Sequence, residues 1–242
     1  MCTKQEIRER VWKQLEEQKL GRFPFPLKNR IPNFKGAEKA AHFVFTMEEY
    51  KRAKVVKVNP DSPQLPIREQ VLKDGKTLLV PTPRLRAGFI MVNPEWVPPG
   101  EERKAASLNH IKKYGKELAL FDLPPIDLIV VGSVALNPDG RRVGKGEGYA
   151  DREYAIIREI GNDEIPVIST VHSIQVVQDN IPINPYDLTV DWIVTEKGIH
   201  KTNSPYKKPT GIIWEEVTDK ELEIMPVLKE IREMTKGKSE QN

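Results

Sequence analysis

An almost continuous apolar segment, IDLIVVGSVAL at 126–136, most strongly constrains the fold of this chain. Only Asp127 and Ser133 interrupt it, which is typical of a central parallel strand buried on both faces. Directly after it comes RRVGKGEGYADREY, 141–154, in which three glycines alternate with Lys145 and Glu147 before a helix-like segment. A strand, a glycine-rich loop and a helix in this order predict a parallel α/β sheet. Its loop would offer backbone N–H groups and a cation to phosphate.

The remaining patterns alternate between strand and helix. Residues 3–19 have helical spacing, with Thr3 and Glu6 in the pattern of a capping box. We expect further strands at 53–58, 77–81, 165–171, 190–195 and 211–217, and further helices at 67–75, 103–118, 150–161 and 219–234, the last bent at Pro226. This alternation predicts a three-layer, Rossmann-like α/β fold with a mostly parallel sheet flanked by helices. We expect one domain over 1–236 and a disordered tail at 237–242.

The composition excludes several classes of protein. The chain has 242 residues, 38% of them hydrophobic, so it can bury a large core. A net charge of +3 does not require a nucleic-acid partner, and the single Cys2 excludes a disulfide framework and a cysteine-based metal site. No apolar run approaches the roughly 18 residues of a membrane span. We therefore expect a cytoplasmic protein without a membrane partner.

The glycine-rich loop does not match the two commonest nucleotide motifs. The P-loop pattern fails because the spacing from Gly140 to Gly144 is one residue short, and Gly146 stands where Ser or Thr should bind magnesium. The dinucleotide pattern fails because Gly144, Gly146 and Gly148 are strictly alternate. A flexible surface turn is the alternative, but it would leave the three glycines and the following Tyr149-Ala-Asp151 unexplained.

Arg-x-Gly-x-Gly-x-Gly-Tyr-x-Asp-Arg after a buried strand resembles the nucleotide loop of the 5-formyltetrahydrofolate cyclo-ligase family. The resemblance covers most of the chain, from an N-terminal Lys-x-x-x-Arg to a late segment that contains an aspartate. It is closer to a divergent branch, the methenyltetrahydrofolate synthetase domain-containing proteins. The blocks that carry it are FPxPxxxRIPNFKGA (23–37), LLVPTPRL (78–85), VVGSVA (130–135) and GKGEGYAD (144–151).

This resemblance implies ATP-dependent ring closure of 5-formyltetrahydrofolate to 5,10-methenyltetrahydrofolate, with release of ADP and phosphate. It also implies the residues that bind ATP, which are Lys4, Arg8, Arg142, Gly144, Lys145, Gly146, Glu147, Gly148 and Tyr149. Three of these, Arg142, Lys145 and Tyr149, would be catalytic, with Tyr149 against the folate or the transferring phosphate. Asp151 and Asp187 would bind Mg²⁺, since hard oxygen ligands suit a hard ion.

The chain departs from the usual family pattern at Glu147, at Ala150 in place of a second tyrosine, and at Asn137 in place of an aspartate. The acid-containing segment that contacts the folate has only Asp61 or Gln64 as its counterpart. Two alternatives therefore stay open. One is a non-catalytic nucleotide- or RNA-binding protein that keeps the phosphate loop, and the other is ATP-dependent activation of a different small molecule.

Three other features of the sequence allow both a functional and a structural interpretation. The basic and aromatic segment 21–36 could bind single-stranded RNA by stacking, but we expect an arm that packs Phe23, Phe25, Ile31 and Phe34 on the core. A single histidine at a strand end, His172, is more often structural than catalytic. Trp96 is a candidate lid or folate-stacking residue, with a loop anchor as the equal alternative.

Overall fold

A central eight-stranded sheet organises the computed structural model, which describes residues 2–239, with side chains described as far as residue 235. The strands are β1 (Gly21–Arg22), β2 (Asn33–Phe34), β3 (Val55–Val58), β4 (Thr77–Pro81), β5 (Phe89–Val92), β6 (Lys116–Leu118), β7 (Leu128–Val131), β8 (Ala135–Leu136), β9 (Arg142–Val143), β10 (Val167–Thr170), β11 (Trp192–Thr195) and β12 (Gly198–Lys201). The helices are α1 (Lys4–Glu17), α2 (Ala37–Thr46), α3 (Glu48–Arg52), α4 (Leu65–Lys73), α5 (Glu102–Ala105), α6 (Ile111–Tyr114), α7 (Tyr149–Glu159), α8 (Asp219–Ile224) and α9 (Pro226–Ser239).

The strand order of the sheet is β12-β11-β10-β7-β3-β4-β5-β6. The five strands from β11 to β4 are parallel, and β5, β6 and β12 add antiparallel edges. Two short hairpins, β1-β2 and β8-β9, lie outside the sheet. The predicted mostly parallel sheet is therefore confirmed.

Helices cover both faces of the sheet because its central strands are apolar on both sides. One core cluster packs Val56, Leu78 and Val130 against α2 and α4. The other packs Leu79 and Ile129, which point to the opposite face, against α7 and α9. The predicted three-layer α/β architecture follows from these two cores. A third cluster joins α1 to the β8-β9 hairpin through Ile7, Val11, Leu15, Ala135 and Val143.

The capping box of α1 is present as predicted. The Thr3 hydroxyl accepts a hydrogen bond from the Glu6 amide at 3.2 Å, and the Glu6 carboxylate accepts one from the Thr3 amide at 2.7 Å. Two predicted elements are wrong. Segment 103–118 forms α5, α6 and then β6, and segment 211–217 forms a 3₁₀ turn at Trp214–Glu216 in place of a strand.

Three further boundaries differ from the predictions. The strand predicted at 126–136 ends at Val131, and the chain continues into the β8-β9 hairpin. The helix predicted at 219–234 is divided into α8 and α9 at Met225 and Pro226, where the bend was expected. Helix α9 continues to Ser239, so the first three residues of the tail predicted at 237–242 are helical. Residues 240–242 of that tail lie outside the described residues. The division into one domain and a tail stays a prediction.

No helix within residues 2–239 combines the length and the apolar character needed to cross a membrane.

Candidate functional site

A cavity of about 580 Å³ lies at the carboxyl edge of the parallel strands. Residues that directly follow three strands line it: Asn59 after β3, Thr82 after β4 and Gly132 after β7. The glycine-rich loop and the first turns of α1 and α7 complete the wall. All eleven predicted site residues line this one cavity: Lys4, Arg8, Arg142, Gly144, Lys145, Gly146, Glu147, Gly148, Tyr149, Asp151 and Asp187.

The two cations of α1 reach the cavity because they lie four residues apart on one helix face. The Lys4 Nζ atom is 2.6 Å from Oδ2 of Asp187, and Arg8 Nε donates to the Gly144 carbonyl at 2.7 Å. Burial lowers the pKa of Arg8, and the neighbouring charge of Arg142 lowers it further. The first helix therefore contributes two cations and also supports the backbone of the loop.

Arg142 lies beneath the loop and is almost fully buried. Its Nη1 donates to the Gly132 carbonyl at 3.0 Å and its Nη2 to Asp151 Oδ1 at 3.2 Å, whereas its Nε has no partner among the described residues. Strand β9 places this side chain there because the β8-β9 hairpin folds back under the end of β7. The guanidinium thus joins the strand end, the loop and α7.

The loop itself requires glycine for its backbone conformation. Gly146 has φ of 113° and Gly148 has φ of 71°, a left-handed region that other residues rarely adopt. Gly148 is the N-cap of the eleven-residue helix α7, so the N-terminus of that helix opens directly from the loop. Backbone N–H groups at a helix N-terminus and a nearby cation attract phosphate.

Lys145 and Glu147 form an exposed ion pair at 2.9 Å on this loop. The loop glutamate therefore neutralises the lysine that the phosphate would need. We expect Glu147→Gln to lower the Kd for Mg-ATP about two- to fivefold, the usual range for an exposed pair. The measurement is a calorimetric titration, with Glu17→Gln as the control because Glu17 forms an exposed pair with Lys13 on α1, outside the cavity lining. Weaker ATP binding by Glu147→Gln would show that this carboxylate contributes to the site directly.

The two predicted metal ligands are held side by side. Asp151 Oδ1 accepts hydrogen bonds from Arg142 and from the amide of Leu188, the residue after Asp187. Asp187 Oδ2 accepts from Lys4 and from the Asn184 amide. Oδ2 of Asp151 and Oδ1 of Asp187 accept no hydrogen bond from the part of the chain that the structure describes, so both are available as ligand atoms. Among the described residues, no three acidic, histidine or cysteine side chains gather around one metal position. Two carboxylates together with phosphate oxygens fit Mg²⁺, which is commonly bound in this way.

Several other residues of the cavity were not predicted as site residues. Asp61, noted only as a counterpart of the folate-contacting acid, lines the cavity, and burial raises the pKa of its carboxyl. Gln64 lies behind the wall, and its buried Oε1 has no hydrogen-bond partner within the described residues. Arg84, Glu153 and Tyr186 also line the cavity. A sequence motif could not identify these residues because they come from separate loops and from α7, which only the tertiary structure brings together.

Asn137 and Trp96 lie outside the cavity lining. Asn137 donates to the Asp179 carbonyl in a turn, and Trp96 packs under Lys116 on the far edge of the sheet. In the arm, Ile31 and Phe34 are buried as expected, but Phe23 and Phe25 are 77% and 56% exposed. The expectation that all four side chains pack on the core is therefore wrong for those two.

His172 has the structural role that was favoured. Its Nδ1 accepts a hydrogen bond from the Ile174 amide at 3.1 Å, which caps a short 3₁₀ turn and requires an unprotonated ring nitrogen. Burial lowers the pKa of His172, although the nearby Glu196 opposes the shift.

Because the folded-state pKa of His172 is lowered, its contribution to stability is present above about pH 6.5, the unfolded value. That contribution is lost as the pH falls through the folded pKa. We expect the free energy of unfolding to decrease as the pH falls below about 6.5, and His172→Asn, which keeps a cap acceptor, to reduce the slope. Denaturant unfolding at a series of pH values measures it. Identical slopes for both proteins would assign the pH dependence to other groups.

The comparison with known families decides the classification. The model of the 5-formyltetrahydrofolate cyclo-ligase family matches residues 1–196. The chain belongs to that family. Its glycine-rich loop and Asp187 both lie within the matched residues.

Curated relatives agree with the divergent branch that the motifs indicated. The chain is 44% identical over 240 residues to a methenyltetrahydrofolate synthase domain-containing protein from Bos taurus, and 43% identical over 244 residues to one from Mus musculus. These alignments cover 95% and 97% of this chain but only 62% and 64% of those proteins. The chain therefore spans less than two thirds of the length of the relatives that it matches.

A solved structure supports the fold. The NMR structure of Aquifex aeolicus 5,10-methenyltetrahydrofolate synthetase superposes with a TM-score of 0.54 at 22% sequence identity, covering 84% of this chain and 95% of that one. The three-layer α/β architecture is thus shared with that synthetase.

Proposed function

We propose that the chain is an ATP-dependent 5-formyltetrahydrofolate cyclo-ligase. The observation that carries the proposal is the convergence of four cations, Lys4, Arg8, Arg142 and Lys145, on one cavity at the N-terminus of α7. Transfer of a phosphoryl group needs mainly positioning and charge neutralisation, which such an arrangement supplies. The family membership supports the same reaction class.

In the proposed reaction, the formyl oxygen on N5 of the folate takes the γ-phosphoryl group of ATP, and ADP leaves. The N10 nitrogen then attacks the activated formyl carbon, phosphate leaves, N10 loses its proton, and the five-membered ring closes. Lys145 and the loop amides would neutralise the transferring phosphoryl group, while Arg142 keeps Asp151 in place. Bound Mg²⁺, held by Asp151 and Asp187 together with phosphate oxygens, would supply further positive charge. Tyr149, the first residue of α7, would lie against the folate.

The test uses the full chain with Mg-ATP and 5-formyltetrahydrofolate. We expect folate-dependent release of ADP and phosphate together with growth of the methenyl absorbance. A protein that Mg-ATP stabilises against heat, but that produces neither ADP nor methenyl product at high enzyme concentration, would overturn the proposal. Turnover with another acceptor would indicate activation of a different small molecule.

The exposed arm favours one alternative, a nucleotide- or RNA-binding protein without turnover. Phe23 and Phe25 both face solvent in a segment that also contains the exposed Lys28 and Arg30, a composition that suits stacking of unpaired bases. A thermal-shift comparison of Mg-ATP, ADP, reduced folates and short single-stranded RNA separates the functions, because each predicts a different stabilising ligand. For the RNA alternative, binding would survive Lys145→Ala and be lost in Phe23→Ala/Phe25→Ala. A cytoplasmic location stays a prediction.

A further inference from the structure

A buried ion pair lies directly behind one wall of the cavity. Lys57 is in the middle of strand β3, and its Nζ is 2.7 Å from Oε2 of Glu153 on α7. Only 1% of the lysine side chain and 6% of the glutamate side chain are exposed. The same Nζ donates to Asn59 Oδ1 at 2.8 Å. The pair therefore joins the central strand, the turn after it and the helix that follows the glycine-rich loop.

Burial of this ion pair has a large desolvation cost. Moving two charges out of water costs several kcal/mol each, and well-packed apolar residues of similar volume are often as stable or more so. A lysine within the central strand of a parallel sheet is therefore poorly explained by stability alone. Its geometric effect is specific, because it fixes the direction of the Glu153 carboxylate.

That carboxylate keeps one oxygen for another partner. Its Oε2 binds Lys57, whereas its Oε1 makes no hydrogen bond to any described residue. Glu153 lines the cavity, and Lys57 is not among the lining residues. Burial raises the pKa of the Glu153 carboxyl, and the charge and hydrogen bond of Lys57 oppose that shift. Asp61 lines the same cavity. The cavity lining therefore includes a carboxylate, Glu153, that can accept hydrogen bonds from a ligand. Lys57 fixes the position of that carboxylate from the side away from the cavity.

The cavity has charges of both signs, and Lys145 lies close enough to Asp61 to lower the pKa of that carboxyl against the larger effect of burial. The loop amides and the cations of α1 and the loop would attract phosphate, whereas Glu153 and Asp61 would repel it at close range. Apolar side chains, Ile31, Pro81, Pro83 and Leu85, line the cavity as well and offer surfaces for a planar ring. The acidic wall thus suits the acceptor rather than ATP.

We propose that Glu153, oriented by Lys57, determines which acceptor the site takes by accepting hydrogen bonds from N–H groups on a planar heterocycle. The ligand class is a ring that presents an amino group and a ring N–H together, as a 2-amino-4-oxopteridine does. Glu153 would contact the acceptor directly, and Lys57 is a positioning residue that acts through it. The inference rests on the proposed function, because the acceptor of that reaction has such a ring.

The test removes the pair without leaving a buried charge. Lys57→Met with Glu153→Gln deletes both charges at nearly constant volume, and thermal unfolding checks that the double variant folds. We expect its KM for 5-formyltetrahydrofolate to rise by about 10- to 100-fold, the effect of losing a hydrogen bond to a charged group, while the KM for ATP changes less than about twofold. The control is Arg152→Met with Glu221→Gln, which removes an ion pair of 2.6 Å from the same helix outside the cavity lining. The control leaves both KM values unchanged.

An unchanged folate KM in the folded double variant would overturn the inference and assign a structural role to the pair. Failure of the proposed function is recognised separately, since the wild-type protein would then produce no methenyl product. In that case the readout is the thermal shift caused by 5-formyltetrahydrofolate and by a 2-amino-4-oxopteridine. A shift that the wild type shows and the double variant loses supports the inference. No shift in the wild type overturns it.

Discussion

Lys145→Ala lowers kcat for the proposed reaction about 10²–10³-fold, because removing one group that neutralises charge in the transition state typically costs that much. The lysine lies on the glycine-rich loop, lines the cavity and has Glu147 as its ion-pair partner. Its positive charge also acts on the carboxyl of Asp61 and lowers the pKa of that group against the larger effect of burial. Steady-state formation of the methenyl product with saturating ATP and folate measures the loss.

The control for this variant is Lys13→Ala. Lys13 also forms an exposed pair with a glutamate, Glu17, but on the surface of α1 rather than in the cavity lining. We expect the control to retain wild-type kcat, and both variants to retain the wild-type unfolding transition because both lysines are surface residues. A decrease of kcat by less than about threefold in Lys145→Ala would show that Lys145 is not a catalytic residue.

Phe34→Ala destabilises the fold by about 3–5 kcal/mol, the range for removing a buried phenylalanine. Phe34 is the last residue of β2, is fully buried, and packs in the core cluster that includes α2 and the central strands. Its ring also meets His172 edge to face at 6.1 Å between centroids. The free energy of unfolding from denaturant titration measures the effect.

Phe23→Ala is the matched change in the same arm. Phe23 is 77% exposed, and substitutions of exposed side chains usually change stability by less than about 0.5 kcal/mol. We therefore expect a wild-type unfolding transition. Equal destabilisation by the two variants would mean that the arm packs differently in solution and that Phe23 is buried there.

The sequence predicts those parts of the fold that depend on residues close together in the chain. Helix α1 begins at its capping box, which has a recognisable residue pattern. The apolar runs of β3, β4, β7 and β10 become central strands, because a strand buried on both faces needs apolar residues on both. The glycine-rich loop was likewise recognisable from three alternate glycines, since φ at Gly146 and Gly148 excludes most other residues.

Elements that depend on distant partners were not predictable. Gly115 packs against β5, where an added Cβ would lie 2.6 Å from Ile90 Cγ2, and the next residues extend to pair with that strand in place of continuing a helix. In segment 211–217 the Ile212 amide donates to Glu159 at the end of α7, so the segment does not join the sheet as a strand. Both outcomes depend on contacts between residues far apart in the chain.

The candidate site shows the same division. By itself, the sequence determined the strand, the glycine-rich loop and the helix that begins from it, and its motifs indicated the cyclo-ligase family. The tertiary structure decided which side chains share the cavity with them. Glu153 was only a charged residue within a predicted helix, and Lys57 only a polar interruption of a predicted strand. They became a buried pair because β3 and α7 pack together, a contact that spans 96 residues of chain. The hydrophobic periodicity of a segment indicates which of its faces is buried, but it does not indicate which distant residues pack against that face.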